Sequence, residues 1–447
     1  MNSIKKSFKE ILRYPSAIIG LLIIFLLVVE AAYAMITIPY SEAIRLWRSG
    51  EDVWYANPKL AAPAWFNYFT AKKQPISFHV NSADGQMDKV VTPSGDGSSI
   101  KFTYTFDYEA DAFPQEVMLY FTTTYAVKQP FASISLFTPD GREFRVADTG
   151  IDHAQNIRIS QQDKLMTKFE GSQFVMQGIF SDPNEAKGTP LKGQYKLVVT
   201  SFTFEKDSNI DVNFVLHGTL YGLAGTDMSR RDLIIPLLWG APIALAFGLL
   251  ASLGTSVTTM IIAAIGAWYG GWIDDLIQRI TEVNMVLPFL PILIMIGTFF
   301  SSSIWVILGA VVLLSIFTGS IKSYRAIFVQ VRESPYIEAA RAYGASNGRI
   351  IMRYLVPRMI PLLIPGLVSS VPSFIFFEAT LAVLGLGDPT LPTWGKIIND
   401  AESYGALYKG LYYWILEPSI LLMITGLGFA LLGFALDRVF NPRLRGM

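Results

Sequence analysis

The residues with the most distinctive chemical patterning run from Ser334 to Pro357, between two long apolar segments. They read Ser334-Pro335-Tyr336-Ile337-Glu338-Ala339-Ala340-Arg341-Ala342-Tyr343-Gly344-Ala345-Ser346 before the chain continues to Pro357. These types suit docking rather than bond-making. Ser334 can cap a helix through its hydroxyl, and Pro335 fits the first helical position, where its missing N–H is no loss. Gly344 can take the left-handed conformation that ends a helix. A second short helix is expected from about Asn347 to Tyr354, before Pro357 opens the next apolar run. Ala339, Ala340 and Ala342 leave little side-chain bulk, so another protein could approach the backbone. Glu338 and Arg341 lie on neighbouring faces and can pair or present charge. On physics alone, an ordinary amphipathic linker between membrane helices fits these residues equally well.

Other chemistry is sparse. The chain has no cysteine, which excludes disulfides and thiolate metal sites. Its histidines, His79, His153 and His217, all fall in one polar region, where they read first as surface residues and second as a histidine metal site. No nucleophile, base and orienter group together. No Gly-x-x-x-x-Gly-Lys-Ser/Thr phosphate loop occurs, and Gly395-Lys396 lacks the rest of that motif, so ATP hydrolysis is not expected on this chain. Glu378 is a carboxylate in an apolar stretch. Such a group costs about 2.5–3.5 kcal/mol on insertion scales and must face protein or water. It reads either as a gate or pathway residue or as an acceptor tying its helix to a neighbour. Pro361, Pro365 and Pro372 precede it, each removing a helical hydrogen bond that neighbouring helices or water must replace.

The elements that position these residues follow from hydropathy. Of 447 residues 51% are apolar, and 36 basic residues balance 36 acidic ones, so net charge gives no reason to expect a nucleic-acid partner. Residues 1–39 comprise a basic start (Lys5, Lys6, Lys9, Arg13) and an apolar run long enough to cross a bilayer, read as an uncut anchor rather than a signal peptide. Glu30 lies inside that run. Residues 40–228 change character. Ile100-Lys101-Phe102-Thr103-Tyr104-Thr105-Phe106 alternates apolar and polar, and Pro139-Asp140-Gly141 is a turn between two further strands. A mainly-β, sandwich-like insert with an interaction or scaffold role is predicted there. Residues 229–447 are then predicted to carry spans two to six, with Phe299-Phe300-Ser301-Ser302-Ser303 as a hairpin turn and a loop from Asp388 to Lys409. Lys322, Arg325, Arg332, Arg341, Arg349, Arg353 and Arg358 crowd the connection after span four, and Arg438, Arg443 and Arg445 follow span six. With six spans these regions and the basic N-terminus share one side, which the positive-inside rule makes cytoplasmic and which leaves the β-domain outside.

Glu338-Ala339-Ala340, three residues, Gly344, and then Pro357 resemble the coupling loop of ABC-importer permeases, with Tyr354 and Val356 where that loop usually has Ile and Leu. Gly225-Thr226-Asp227-Met228-Ser229-Arg230-Arg231-Asp232 resembles the Gly-Thr-Asp-x-x-Gly-Arg-Asp signature of dipeptide, oligopeptide and nickel permeases, with Arg230 in place of the second Gly. Leu384-Gly385-Leu386-Gly387, Pro392-Thr393-Trp394-Gly395, Tyr269-Gly270-Gly271-Trp272-Ile273-Asp274 and Asn441-Pro442-Arg443 are similar to segments of the same subfamily, in particular its C-type subunits. The resemblance covers roughly 1–38 and 222–447 and leaves the β-insert without a transferred function.

That resemblance implies a membrane all-α permease fold of six transmembrane helices. It implies a docking role for Glu338, Ala339, Ala340, Arg341, Gly344, Ala345, Ser346 and Pro357 against a cytoplasmic ATPase. ATP and Mg would sit on two such ATPase chains, with no cofactor or metal on this one. A second permease subunit, an extracytoplasmic substrate-binding protein and the lipid bilayer complete the expected partners. Glu378, Pro365 and Pro372 are the candidate pathway or gate residues. A single-chain secondary transporter or channel with an outer interaction domain is the competing reading, and would call for ionisable residues near mid-membrane. A one-span adhesion or sensor protein and an intramembrane hydrolase fit less well.

Overall fold

The computed structural model describes residues 12–185 and 188–440; the first basic residues and Asn441-Pro442-Arg443 lie outside them. The chain divides into two units, one comprising Ser49–Ile234 and the other the residues up to Arg48 and from Ile235 onward. The division therefore falls inside the expected 40 boundary and beyond the expected 228 boundary. The reasons are local. Tyr40 packs its ring 5.6 Å from Trp239, which keeps the residues just after the anchor with the apolar helices. The stretch at 225–232 is hydrogen-bonded to residues 57–61 of the β-unit, as described below.

The anchor forms α1 (Pro15–Thr37), which starts on a proline at its first position. It is followed by the short amphipathic α2 (Tyr40–Arg48), whose Ala43 and Trp47 are buried while Arg45 and Glu42 pair on the exposed side.

The β-unit is built from two antiparallel sheets. One has the order β1 (Phe78–Asn81), β9 (Asn209–His217), β4 (Glu116–Thr124), β7 (Ala154–Arg158), and the other β2 (Asp88–Ser94), β3 (Gly97–Tyr108), β8 (Gly193–Thr203), β5 (Phe131–Phe137), β6 (Glu143–Gly150). Alternation decides which side chains go in: on β3, Ile100, Phe102 and Phe106 are buried and Lys101 and Thr105 exposed. Partners from both sheets meet in one core, where Phe106 lies 5.4 Å from Phe214 on β9 and 5.6 Å from Tyr195 on β8. The turn at 139–141 forms as its residues require, with Gly141 at φ 84° and its N–H donating to the Thr138 carbonyl. Two helices, α3 (Asp163–Lys168) and α4 (Ser172–Phe180), also join this core through Leu165, Val175, Ile179 and Phe180.

In the other unit, α5 (Ile234–Tyr269) is followed by α6 (Gly271–Val286), α7 (Phe289–Phe299), α8 (Ile304–Ile316) and α9 (Gly319–Arg332). Next come α10 (Pro335–Ala342), α11 (Asn347–Ile350), α12 (Val356–Leu381), α13 (Trp394–Tyr404) and α14 (Tyr413–Phe440). Among the described residues four helices are long and apolar enough to cross a membrane, and six spans result if the bent pairs α6–α7 (81°) and α8–α9 (50°) each count as one. The hairpin turn at 299–303 is present between α7 and α8. The Asp388–Lys409 segment is not simply a loop. Thr393 accepts from the Lys396 N–H and so caps α13, and Gly405 at φ 72° ends it.

Close packing of the long helices relies on small residues. A Cβ on Gly20 of α1 would come within 2.7 Å of the Gly428 carbonyl on α14, so only glycine allows that approach. In the β-unit the opposite holds, and bulk is required. Phe214→Ala should lower stability by about 3–5 kcal/mol, seen as a lower melting temperature of that unit in the purified chain; an unchanged melting temperature would mean the ring cluster is not the core.

Candidate functional site

Residues 334–346 form a turned-back corner. Ile337 N–H donates to the Ser334 carbonyl at 2.9 Å, Pro335 occupies the first turn, and α10 runs to Ala342. The Ser334 hydroxyl makes no capping bond, so the expected side-chain cap is replaced by its main chain. The C-terminus closes as a Schellman motif: Ala345 N–H donates to the Ala340 carbonyl (3.0 Å) and Gly344 N–H to that of Arg341 (2.9 Å). Gly344 sits at φ 78° in open space, so conformation rather than crowding demands glycine there.

The corner is fixed on its inner face. Ile337 and Ala340 share one buried cluster with Ile350, Ile351 and Leu355, with Met260, Ala263, Ala264 and Ala267 of α5, and with Ile321 and Phe328 of α9. Ala340 is therefore part of the anchor, not of the open surface; Ala339 and Ala342 remain exposed beside Glu338, Tyr343 and Ser346. Arg341 does not pair with Glu338. Its guanidinium lies 4.4 Å from the ring centre of Trp268 at the end of α5, a cation–π contact. Arg332 donates to the Ala267 carbonyl at 2.8 Å, closing the same helix end, and Arg325 makes a two-point bond to Asp274 of α6. Nor is the second short helix separate. After α11 the chain widens into a π turn at Ile351–Leu355 and continues into α12, with Pro357 in its first turn. The wide turn relieves the clash a proline ring makes with the carbonyl four residues earlier.

Further along α12, Pro361, Pro365 and Pro372 lie within an unbroken helix. Near Pro372, the Leu367 carbonyl receives hydroxyls from Ser252 of α5 (2.6 Å) and Ser370 (2.8 Å). Glu378 is buried and bonded to the Thr393 hydroxyl, the residue that caps α13. Around it, Trp394 donates its indole N–H to the Leu237 carbonyl at 2.8 Å, and a Cβ on Gly395 would lie 2.7 Å from the Ala379 Cα. Gly387 rests similarly on Ala382, and Gly385 turns the chain at φ 82°. These residues knot α12, α13 and the start of α5 together.

The stretch Gly225–Asp232 folds within the β-unit. Thr226 donates its hydroxyl to the Pro58 carbonyl (2.8 Å) and accepts from the Ala61 N–H (3.0 Å). Asp227 is fully buried and takes bonds from Ser229 N–H, Arg231 N–H and the Arg231 guanidinium. Arg230 adopts φ 65°, the left-handed conformation that suits a glycine. Its side chain offsets that strain by donating to the Asn57 carbonyl (2.6 Å) and approaching Glu51 at 3.4 Å. Asp232 accepts from Ile234 N–H.

One feature escaped the sequence reading. A cavity of about 280 Å³ opens between α5, α8, α9 and α12, lined by Thr255, Ser256, Thr259, Ser315, Tyr324 and Ser370 among others. Hydroxyls scattered over four separate segments carry no local signature, although their presence inside apolar helices was visible.

His217, at the end of β9, gives the β-unit a pH dependence. It is 3% exposed, its Nδ1 has no partner among the described residues, and burial together with Arg230 and Arg158 pulls its pKa down to about 3. Folding therefore favours the neutral ring, a contribution complete above about 6.5 and lost as pH falls toward 3. Asp232, pushed up to about 6 by burial, works in the opposite direction on acidification. The contrast between parent and His217→Gln isolates the histidine. From about pH 7 to about pH 5 the parent should lose roughly 1–2 kcal/mol relative to the variant in thermal unfolding; parallel curves would show that His217 titrates normally.

Residues 256–446 match the family described as binding-protein-dependent transport system inner membrane component. The chain is 30% identical over 222 residues to the dipeptide transport system permease protein DppC of Alkalihalophilus pseudofirmus, covering 49% of this chain and 72% of the relative. It is 30% identical over 223 residues to the oligopeptide transport system permease protein OppC of Escherichia coli K12, covering 49% and 72%. A glutathione transport system permease protein of Pectobacterium atrosepticum is 28% identical over 222 residues, again 49% and 72%. The β-unit lies outside the residues matched to the family. The chain belongs to the membrane permeases of binding-protein-dependent ABC peptide transport systems, in their C-type branch.

Proposed function

We propose that this chain is one of two permease subunits of an ATP-driven importer of peptides or similar small solutes, and that the corner at 334–357 receives the ATPase. The observation that carries this is the corner's two-sidedness. Its inner face is pinned to α5 by Ile337, Ala340 and Arg341, while Glu338, Ala339, Ala342 and Tyr343 stay exposed on a capped, rigid helix. A pinned helix passes a push on its outer face into the spans, which rigid-body alternating access requires. ATP and Mg belong on two separate cytoplasmic ATPase chains, since this chain carries no phosphate loop.

In this reading the bent pairs α6–α7 and α8–α9 each make one span, giving six. The basic residues after α9 then face the cytoplasm with both termini, and the β-unit lies outside. The β-unit, inserted between α1 and α5, helps dock the binding protein that delivers the solute. Glu378 acts as a structural acceptor, because its carboxyl is held by Thr393 inside the α12–α13 knot.

The absence of cysteine makes the topology directly testable. Ala342→Cys should react with a membrane-impermeant thiol reagent only from the cytoplasmic side. Ala342→Trp should reduce ATP-dependent peptide uptake about ten- to a hundredfold, the effect of about 1–3 kcal/mol of overpacking at a docked surface, with the permease still present in the membrane. Labelling from outside, or uptake at the parent rate, would refute the assignment.

A further inference from the structure

The hydroxyls lining the 280 Å³ cavity are not used as hydroxyls in membrane helices ordinarily are. A serine or threonine in a helix usually bonds back to the carbonyl four residues earlier. Thr281, Thr380 and Thr425 of this chain do so, each at 2.7 Å. In the cavity, Thr259 and Ser370 are likewise committed, to the Ile316 and Leu367 carbonyls. Thr255, Ser256, Ser315 and Tyr324 differ: among the described residues their hydroxyls make no side-chain hydrogen bond. The Thr255 Oγ1 is wholly buried in that condition. A buried polar atom without a partner costs about 1–3 kcal/mol; of these four only Thr255 is in that condition, while Ser256, Ser315 and Tyr324 keep accessible hydroxyls free to meet something polar in the void. No charged residue lines it.

We propose that this cavity binds the main-chain amides of a peptide in transit, a reading that rests on the assignment of the chain as a peptide permease. Each free hydroxyl can donate to a carbonyl or accept from an N–H, which matches the alternating groups of a peptide backbone. A lining without charge makes no demand on side chains, so solutes differing in sequence can use the same contacts. At about 280 Å³ the space falls just below the usual size of small-ligand pockets, roughly 300–1,000 Å³, and takes a short stretch of backbone rather than a whole long peptide. The site lies between α5, the helix that braces the corner, and α12, so movement of the corner reaches it directly.

The test uses the complete importer in vesicles, with its second permease, ATPases and binding protein. Uptake is measured for trialanine and for its analogue carrying an ester in place of the central amide, which lacks one N–H donor. The preference for amide over ester should fall about tenfold in the Thr255→Val/Ser256→Ala double variant, the equivalent of one hydrogen bond. Thr255→Ser should keep the parent preference, and binding-protein-stimulated ATPase activity should persist. The preference is a ratio, so discrimination by the binding protein cancels between parent and variant. If the double variant does not assemble, Ser256→Ala alone decides, because its hydroxyl holds nothing in the fold. An unchanged preference, or an equal loss for both substrates, overturns the cavity assignment while leaving the permease reading intact. A parent that imports neither compound overturns the cavity assignment together with the peptide assignment on which it rests.

Discussion

A helix of two turns cannot hold its shape alone in water, because nucleation costs more than so few hydrogen bonds return. The corner around α10 exists only because both its ends are closed and one face is clamped. Gly344 permits the Schellman closure, Pro335 starts the helix, and Ile337 and Ala340 are buried against α5 and α9. Arg341 and Arg332 then fasten it to the last turn of α5, through Trp268 and the Ala267 carbonyl. Remove that clamp and the exposed residues become a flexible linker. The remainder of the helical unit extends the same chain of contacts, from α5 through Ser252 to α12, and from α12 through Glu378 and Trp394 to α13.

The two units solve the burial problem in opposite ways. Long apolar helices gain little from burying more apolar surface in lipid, so they approach through glycines such as Gly20, Gly428 and Gly395 and exchange a few hydroxyl and indole bonds. The β-unit buries a large aromatic core around Phe102, Phe106, Tyr195 and Phe214, as a domain facing water must. Its terminal stretch at 225–232 resembles a permease signature in sequence, and its bonds from Thr226 to Pro58 and Ala61 and from Arg231 to Asp227 lie within the β-unit. Arg230 shows how an insert can modify such a signature, exchanging a glycine's freedom for a guanidinium that reaches Asn57 and Glu51.

What could be read from the sequence was what is local. The alternation on β3, the turn at Gly141, the hairpin break at 299–303 and the closure at Gly344 each depend on neighbours in the chain. What could not be read depends on distant partners. Nothing near Ala340 distinguishes it from Ala339 and Ala342, yet it is buried in the cluster it shares with α5 while the other two are exposed. Arg341 looked poised to meet Glu338 because they are three apart, and Trp268 competes successfully from far away in sequence. The helix at 394–404 was hidden because its cap, Thr393, follows a run of turn residues. The cavity hydroxyls come from four segments and converge only in the folded state.

The most direct measurement of the central claim is hydrogen exchange along the full chain, with and without the ATPase pair. Amides of residues 335–346 should exchange slowly already in the isolated permease, because the corner is clamped, and more slowly still once the ATPases bind and ATP is added. Strands of the β-unit should show no change. Fast exchange at the corner in the free chain, or ATPase binding that leaves protection at the corner unchanged, would contradict the account.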